Sequence, residues 1–507
     1  MPQCCETCKT AYKLNVIGDY ICPNHGVVKN DHVCKKYERN ELRSKVVEPN
    51  EPLYKQYENN DAAVINEKEN QKMNRIFTPL GKITAILLML VCVYAIWEFT
   101  LRGSQWQFLG GMMFVFMVIK QIFALCYSPC KKELTKDYKV SAILTCYNEN
   151  PESVVSILNN ILALDYPVCE ILFLDDGSKD TLAYEVAKSF AETHKNILNA
   201  PEFKIIRFEE NRGKRELMVD GFKLASGDYV FMLDSDSVIM PNALTELLRP
   251  FEKKKTTSVV GSIGVANRKR SFIGMMQSIT YFGAFQMGRA AQSVTGDVVV
   301  CSGAFSIHKK DFILENLEEF KESEPFGIKV SAGDDRSLTT LSKLSGGKTR
   351  YQCTAYCETE TPQKWKKFQS QRRRWQRSGY VCCLDSIKQM FPRNLLYLFW
   401  AFTEVYLWLI ATIIFIIQIT TRGFQPNWMD IILYFIIISY MHNAFYALYR
   451  PIRYLLVPFY LLVYGFSLTY TRIHAAVTIG DDDWGTRTVV DEEQAPVEEV
   501  ALHKSVA

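Results

Sequence analysis

Two carboxylates one residue apart, Asp234 and Asp236, follow the apolar run Tyr229–Leu233, which reads as a β-strand. Oxygen ligands at that spacing suit a hard divalent cation, Mg2+ or Mn2+, that bridges a diphosphate and neutralises charge on a departing nucleotide. Acidic pairs also cap loops, so the position at a strand end carries more weight than the spacing. Upstream, Asp175-Asp176-Gly177-Ser178 closes another short strand, Ile171–Leu174. There Asp175 and Asp176 can grip a base or ribose, close an Asx turn, or do both. Downstream, Gly333-Asp334-Asp335-Arg336 presents a carboxylate suited to take a proton from an attacking hydroxyl, with the arginine holding it ionised. An exposed ion-pair cluster is the competing reading of this last motif.

Further along lies Gln371-Arg372-Arg373-Arg374-Trp375. Its arginines suit pyrophosphate oxygens, and the tryptophan face suits a sugar ring. The bias of Lys and Arg toward cytosolic membrane boundaries also accounts for this segment, together with Lys364, Lys366 and Lys367, as a helix lying at an interface. Trp484-Gly485-Thr486-Arg487 follows the acidic run Asp481–Asp483 and has the composition of a loop that closes over a nucleotide. Near the start of the chain, Cys5-x-x-Cys8 and Cys22-x-x-His25, with Cys4 and Cys34 nearby, have the spacing of a small structural zinc knuckle. Unligated reduced thiols are the alternative there.

The elements that must hold the acidic motifs alternate. Strands are expected at Val140–Thr145, Ile171–Leu174, Phe203–Phe208 and Tyr229–Leu233, with helices at Pro151–Leu164 and around Lys214–Ala225. That order implies a parallel α/β sheet covered on both faces, with ligands at the carboxyl ends of the strands, where both acidic motifs fall. Purely apolar stretches flank this domain. Ile83–Phe99 and Trp106–Cys126, joined by a short loop, read as a transmembrane hairpin with Lys82 and Lys120 snorkelling at its ends. Leu395–Ile419 and Ile431–Tyr449 read as spans, whereas Leu455–Tyr470 is interrupted by Pro458 and reads as spanning or re-entrant. The expected units are a tail over 1–79, the hairpin over 80–127, and the α/β domain with interface helices over 138–392. A membrane or re-entrant region over 393–471 and a loop with an acidic, disordered tail over 472–507 follow.

A net charge of +4 on 507 residues, with no basic stripe beyond Lys253–Lys255, excludes a nucleic-acid binder. The 15 cysteines are scattered, and Cys92 and Cys126 lie inside apolar segments, which argues for reduced thiols rather than a disulfide framework. The first 30 residues carry no apolar core of the kind a signal peptide needs.

Taken in order, DDGS, DSD, GDDR, QRRRW and WGTR resemble the signature of processive family-2 glycosyltransferases across about residues 138–488. That group includes chitin, hyaluronan and cellulose synthases. The resemblance implies a GT-A fold set between transmembrane helices. It assigns uridine binding to Thr145, Glu149 and Asp176, with Asp175 and Lys214 also on the donor side. Metal and diphosphate fall to Asp234 and Asp236. The base is Asp335, with Asp334 beside it. The acceptor end and diphosphate are held by Gln371, Arg374 and Trp375, and Trp484 and Arg487 form a gating loop over UDP.

A cytosolic gating loop implies that Leu455–Tyr470 does not span. Four transmembrane helices would then remain, with both termini and the catalytic domain inside the plasma membrane. QRRRW and Ser302-Gly303-Ala304-Phe305-Ser306 look like chitin synthases, which use UDP-N-acetylglucosamine alone. Gly213-Lys214-Arg215-Glu216, GDDR, Arg289-x-x-Gln292-Ser293 and Thr359–Pro362 look like hyaluronan synthases, which alternate that donor with UDP-glucuronate. Chitin synthases usually carry a glutamate before the base, where this chain has Asp334. Chitin is the favoured product at this stage and hyaluronan the alternative. A non-processive transferase acting on a lipid carrier comes third.

Overall fold

The structure, a computed structural model, describes residues 12–13, 19–22, 26–29, 52–58, 67–101, 107–197, 200–322, 327–328, 333–407, 409–410, 412–413, 420 and 428–480. Three short strands, β1 (Tyr12–Lys13), β2 (Asp19–Cys22) and β3 (Gly26–Lys29), pair as an antiparallel meander. Cys22 closes β2, while Cys5, Cys8 and His25 lie outside the described residues. Helices α1 (Glu67–Met73), α2 (Pro79–Leu101) and α3 (Gln107–Cys126) precede the sheet.

The α/β domain then runs β4 (Val140–Cys146), α4 (Pro151–Leu162), β5 (Glu170–Asp175), α5 (Leu182–His194), β6 (Glu202–Arg207), α6 (Lys214–Leu224) and β7 (Tyr229–Leu233). Every residue of β5 and β7 is buried, the pattern of strands covered on both faces. Helix α4 starts where Asn150 accepts a hydrogen bond from the Glu152 N–H at 3.0 Å, with Pro151 at the first helical position. One face of the sheet is covered by α4 and α5 through Val154, Leu158 and Phe190. The other is covered by Leu217 and Phe222 of α6, with Phe320 and Leu338 from later helices.

After β7 the chain adds β8 (Val238–Ile239), α7 (Ala243–Leu248), β9 (Thr256–Val265), α8 (Phe272–Phe282) and α9 (Ala290–Thr295). There follow β10 (Phe305–Lys309), α10 (Lys310–Glu315), α11 (Leu317–Lys321), α12 (Asp334–Leu344), β11 (Lys348–Thr359) and α13 (Trp365–Met390). Strand order is β6-β5-β4-β7-β10-β9-β11-β8. The expected parallel sheet holds for β6, β5, β4 and β7 and then gives way, because β10 runs antiparallel to both β7 and β9. Its first residue, Phe305, pairs with Leu233, the last of β7. The loop before β10 therefore abuts the end of β7 where Asp234 begins. A parallel strand there would have put that loop's start at the opposite edge.

The described chain ends with α14 (Leu395–Val405), α15 (Trp428–His442) and α16 (Val457–Val477), with two single-turn helices, Tyr446–Tyr449 and Pro451–Tyr454, between the last two. Pro458 stands in the first turn of α16, where its missing N–H leaves no bond unmade, so the helix runs unbroken where an interruption was expected. Among the described residues no single helix is long and apolar enough to cross a membrane; Glu67–Phe77 and Pro79–Leu90 together form an apolar pair bent by 60°. Leu80, Ile83, Leu87, Leu90 and Tyr94 of α2 are nevertheless exposed along one stripe. Lys82 does not snorkel outward, since its ammonium donates to the Tyr127 carbonyl at 3.0 Å, and Lys120 faces inward beside Glu404 and Arg289.

The segment before the first apolar helix is latched to the last third of the chain. The Glu69 carboxylate accepts from Arg268 at 3.1 Å and also from the Tyr449 hydroxyl and Arg450, with its side chain 10% exposed. Removing it takes the carboxylate from Arg450 and leaves Arg268 with Glu358 alone, at 3.1 Å. Glu69→Ala is expected to destabilise the protein by about 3 kcal/mol, read as a lowered Tm of the detergent-solubilised chain; an unchanged Tm would show that the latch contributes nothing.

Candidate active site

At the carboxyl ends of β4 and β7, three carboxylates face one ammonium. Lys214 at the start of α6 donates to Asp234 at 2.8 Å. Asp236, one turn on, accepts from the Thr359 hydroxyl at 3.2 Å. Glu149, in the β4–α4 loop, accepts from Ser235. Burial pushes the Glu149 carboxyl up and Asp234 adds to the push. Asp236 is pushed up as well, by desolvation and then by Asp234 and Glu149. Its carboxyl opens on the cavity, where water screens part of that repulsion.

The cluster is short of positive charge, which is the condition a divalent cation relieves. Asp234 and Asp236 are the residues able to hold one. Among the described residues no three acidic, His or Cys side chains converge on one point, so diphosphate oxygens and water would complete the shell, as Mg2+ commonly keeps them.

The DDGS acids form the turn that was one of the expected readings. Asp175 is 0% exposed, accepts from Arg207 Nε at 3.1 Å and from the Ser178 N–H at 3.3 Å, and so closes an Asx turn without reaching the cavity. Asp176 is 2% exposed and accepts the N–H groups of Arg212 and Gly213 at 2.8 and 2.9 Å. Gly213 holds φ +93°, open to glycine at little strain, and it caps α6. Asp176 thus fixes the loop that aims Lys214 at Asp234. Thr145 is half-buried at the end of β4, in register with Leu174.

Helix α12 opens with the two remaining acids. Asp334 pairs with Arg215 Nε at 2.7 Å, both nearly buried, and lines the same cavity as Asp335. Asp335 turns into the cavity. Burial raises its carboxyl, Asp334 adds to this, and Arg336 opposes it. Arg336 gives Asp335 the expected electrostatic support while its guanidinium lies 3.7 Å from Glu404 of α14, and its backbone N–H donates to Asp335 at 2.9 Å. A carboxyl raised in this way is a stronger base once ionised.

Gly333 precedes these acids with φ +104°, and a Cβ there would lie 2.7 Å from the Ser378 Cβ on α13. That close approach seats α12 against α13. Thr340 bonds Ser386 at 3.2 Å and Tyr397 at 3.3 Å along the same seam. Helix α13 is fastened on its other side by Arg377, which donates to the Thr478 hydroxyl at 2.7 and 3.2 Å.

One cavity of about 500 Å3 collects Lys214, Asp234, Asp236, Asp335 and, from α13, Gln371, Arg374 and Trp375. It does not reach Thr145, Glu149, Asp175 or Asp176, and Trp484 and Arg487 lie outside the described residues. Sequence reasoning missed Tyr281 and Tyr464 in its walls, and Arg372, also there, was noted only with its neighbouring arginines as a pyrophosphate contact. The Arg289-x-x-Gln292 and Thr359 stretches had been noted only as resemblances. Gln292 and Arg289 engage Glu404 at 2.8 and 3.6 Å, and Thr359 orients Asp236.

Residues 141–317 match the family described as glycosyl transferase family 2. The hyaluronan synthase of Streptococcus pyogenes serotype M3 is 31% identical over 419 residues, covering 81% of this chain and 99% of that protein. The chain belongs to the processive family-2 glycosyltransferases of the hyaluronan and chitin synthase group. It is therefore a UDP-sugar glycosyltransferase. Hyaluronan synthase 2 of Rattus norvegicus is 25% identical over 448 residues, covering 79% of this chain and 81% of that one. A solved mannosyltransferase from Pyrobaculum calidifontis, in complex with GDP-Man and Mn2+, shares the fold with a TM-score of 0.52 at 18% identity, over 77% of this chain and 98% of its own.

Asp335→Asn in this glycosyltransferase is expected to lower sugar transfer by about 10²-fold or more while UDP binding stays unchanged. A matching loss of UDP affinity would remove Asp335 from the role of base. Because burial raises its carboxyl, the acid limb of the wild-type kcat profile is expected above the ordinary aspartate value of about 4, with activity lost as pH falls through it.

Proposed function

We propose that this chain is a membrane-embedded hyaluronan synthase, joining N-acetylglucosamine and glucuronate from their UDP donors. The observation that carries the reading is the single cavity holding an elevated carboxylate, the Asp234–Asp236 pair and a tryptophan face together. Chitin, the product favoured from motifs alone, gives way because the relatives matched along nearly their whole length are hyaluronan synthases. QRRRW and the cavity position of Ser302, Gly303 and Ala304 keep chitin as the second reading.

The step follows from the residues. Trp375 stacks the terminal sugar of the growing polymer, and Gln371 orients it. Asp335 takes the proton of its attacking hydroxyl as oxygen closes on C1 of the donor, and the C1–O bond to UDP breaks in line. Asp234 and Asp236 hold a Mg2+ or Mn2+ ion that stabilises the leaving diphosphate when bound, and Arg374 and Lys214 add positive charge there. Inversion of an α-linked donor gives a β-linkage. The exposed apolar stripes of α2 and of α16, where Phe459, Leu462, Tyr470, Ile473 and Val477 face outward, support lipid contact. Fastening Thr478 to α13 beside the cavity supports a cytosolic placement for the residues that follow, including Trp484 and Arg487.

Radiolabel incorporation by purified protein with Mg2+ or Mn2+ tests the product. Polymer is expected only when UDP-N-acetylglucosamine and UDP-glucuronate are both supplied, and hyaluronidase is expected to degrade it. Chitinase-sensitive polymer from the first donor alone would establish the second reading.

A further inference from the structure

Arg372 is 9% exposed, and its Nε and Nη2 are buried without a hydrogen-bond partner. Among the described residues no carboxylate lies within ion-pair distance of it. Rings surround it instead: Trp375 at 4.5 Å, Phe368 at 5.4 Å, and Tyr281 and Tyr464 both at 5.9 Å. Arg372 and three of these rings, Trp375, Tyr281 and Tyr464, line the catalytic cavity. Cation–π contacts compensate part of the desolvation of a guanidinium, but they leave its in-plane N–H donors unmet. Beside it, Gln371 Oε1 is also buried without a partner and lines the same cavity. Unmet donors of fixed charge next to an unmet acceptor are expensive to bury unless a ligand completes them.

The missing partner must bring an anion to the guanidinium, a hydroxyl to the glutamine and flat apolar faces to the rings. A planar carboxylate matches the guanidinium fork with two parallel hydrogen bonds. Pyranose rings match the aromatic walls. The donor diphosphate is the other anion that enters this cavity, but Asp234, Asp236, Lys214 and Arg374 already serve it, and four rings are no surface for phosphate. We propose that Arg372 reads the carboxylate of a glucuronyl unit at the growing end of the acceptor, seated against Trp375. This rests on the hyaluronan reading above and assigns the site that tells one terminal sugar from the other. When N-acetylglucosamine occupies that end, Arg372 has no carboxylate to bind, so the two half-cycles differ in their dependence on it.

The test compares two hyaluronan tetrasaccharides as acceptors for the purified full-length protein. One ends in glucuronate and is extended with UDP-N-acetylglucosamine; the other ends in N-acetylglucosamine and is extended with UDP-glucuronate. For Arg372→Gln, kcat/KM on the glucuronate-ended acceptor is expected to fall roughly ten- to hundredfold, mainly through KM. The other acceptor and UDP binding are expected to hold. Equal losses on both acceptors, no loss on either, or weakened UDP binding would each overturn the assignment, the last in favour of the diphosphate. Should Arg372→Gln fail to fold by thermal melting, Arg372→Lys, which keeps the charge but not the fork, is expected to show the same selective loss to a smaller degree, and an unselective effect overturns the assignment there. Wild-type protein that ignores UDP-glucuronate would instead overturn the hyaluronan reading, a result visible before any variant is compared.

Discussion

The interaction on which the site depends is the repulsion among Asp234, Asp236 and Glu149, opposed within the chain chiefly by Lys214. A scaffold left to itself would spread these groups into water. Here each is held by something stiffer than the repulsion: Asp234 and Asp236 by the end of a fully buried strand, Glu149 by Ser235, and Lys214 by a loop tied through two backbone N–H groups to Asp176. Asp176 itself sits at the end of another fully buried strand. The charge deficit is thus built in before any ligand arrives, and a divalent cation with a diphosphate is the chemistry that completes it.

The base and the acceptor wall are a second unit, joined to the first across the cavity. Asp335 opens α12 beside Asp334, which is anchored on Arg215 from α6. Arg336 lies 3.7 Å from Glu404, and burial raises the base against the opposing charge of Arg336. The contact between Gly333 and Ser378 sets α12 against α13, so the same seam fixes the distance from the base to Trp375 and Arg372. Glu404 belongs to α14, the first helix after the catalytic domain. Through it and Gln292, the floor of the cavity is coupled to the helices that follow the α/β domain.

Much of this was legible in the chain. The apolar runs of β4, β5 and β7 were placed within a residue or two, because strands buried on both faces leave few alternatives to continuous hydrophobic sequence. The acids at their ends stood out for the same reason: polarity begins abruptly where burial stops. The division of labour inside each acidic pair was not legible. Asp175 and Asp176 look alike in sequence, as do Asp334 and Asp335, yet partners that hold Asp175, Asp176 and Asp334 lie 32 to 119 residues away. Arg372 was visible as one of three consecutive arginines, with nothing local to separate a caged guanidinium from its half-buried neighbours.

By itself, then, the sequence determined the sheet's parallel half, the acidic strand ends, the order of motifs and the apolar flanks, all of which follow from periodicity and local composition. Only the tertiary structure decided that β10 runs antiparallel, which brings Ser302 to Ala304 beside Asp234. It alone decided that Asp334 is anchored on Arg215 of α6, and that Arg372 lies unpaired among rings from α8, α13 and α16. Each of these rests on contacts between segments distant in the chain, where the outcome depends on which groups share one small buried volume, and no local spacing encodes that.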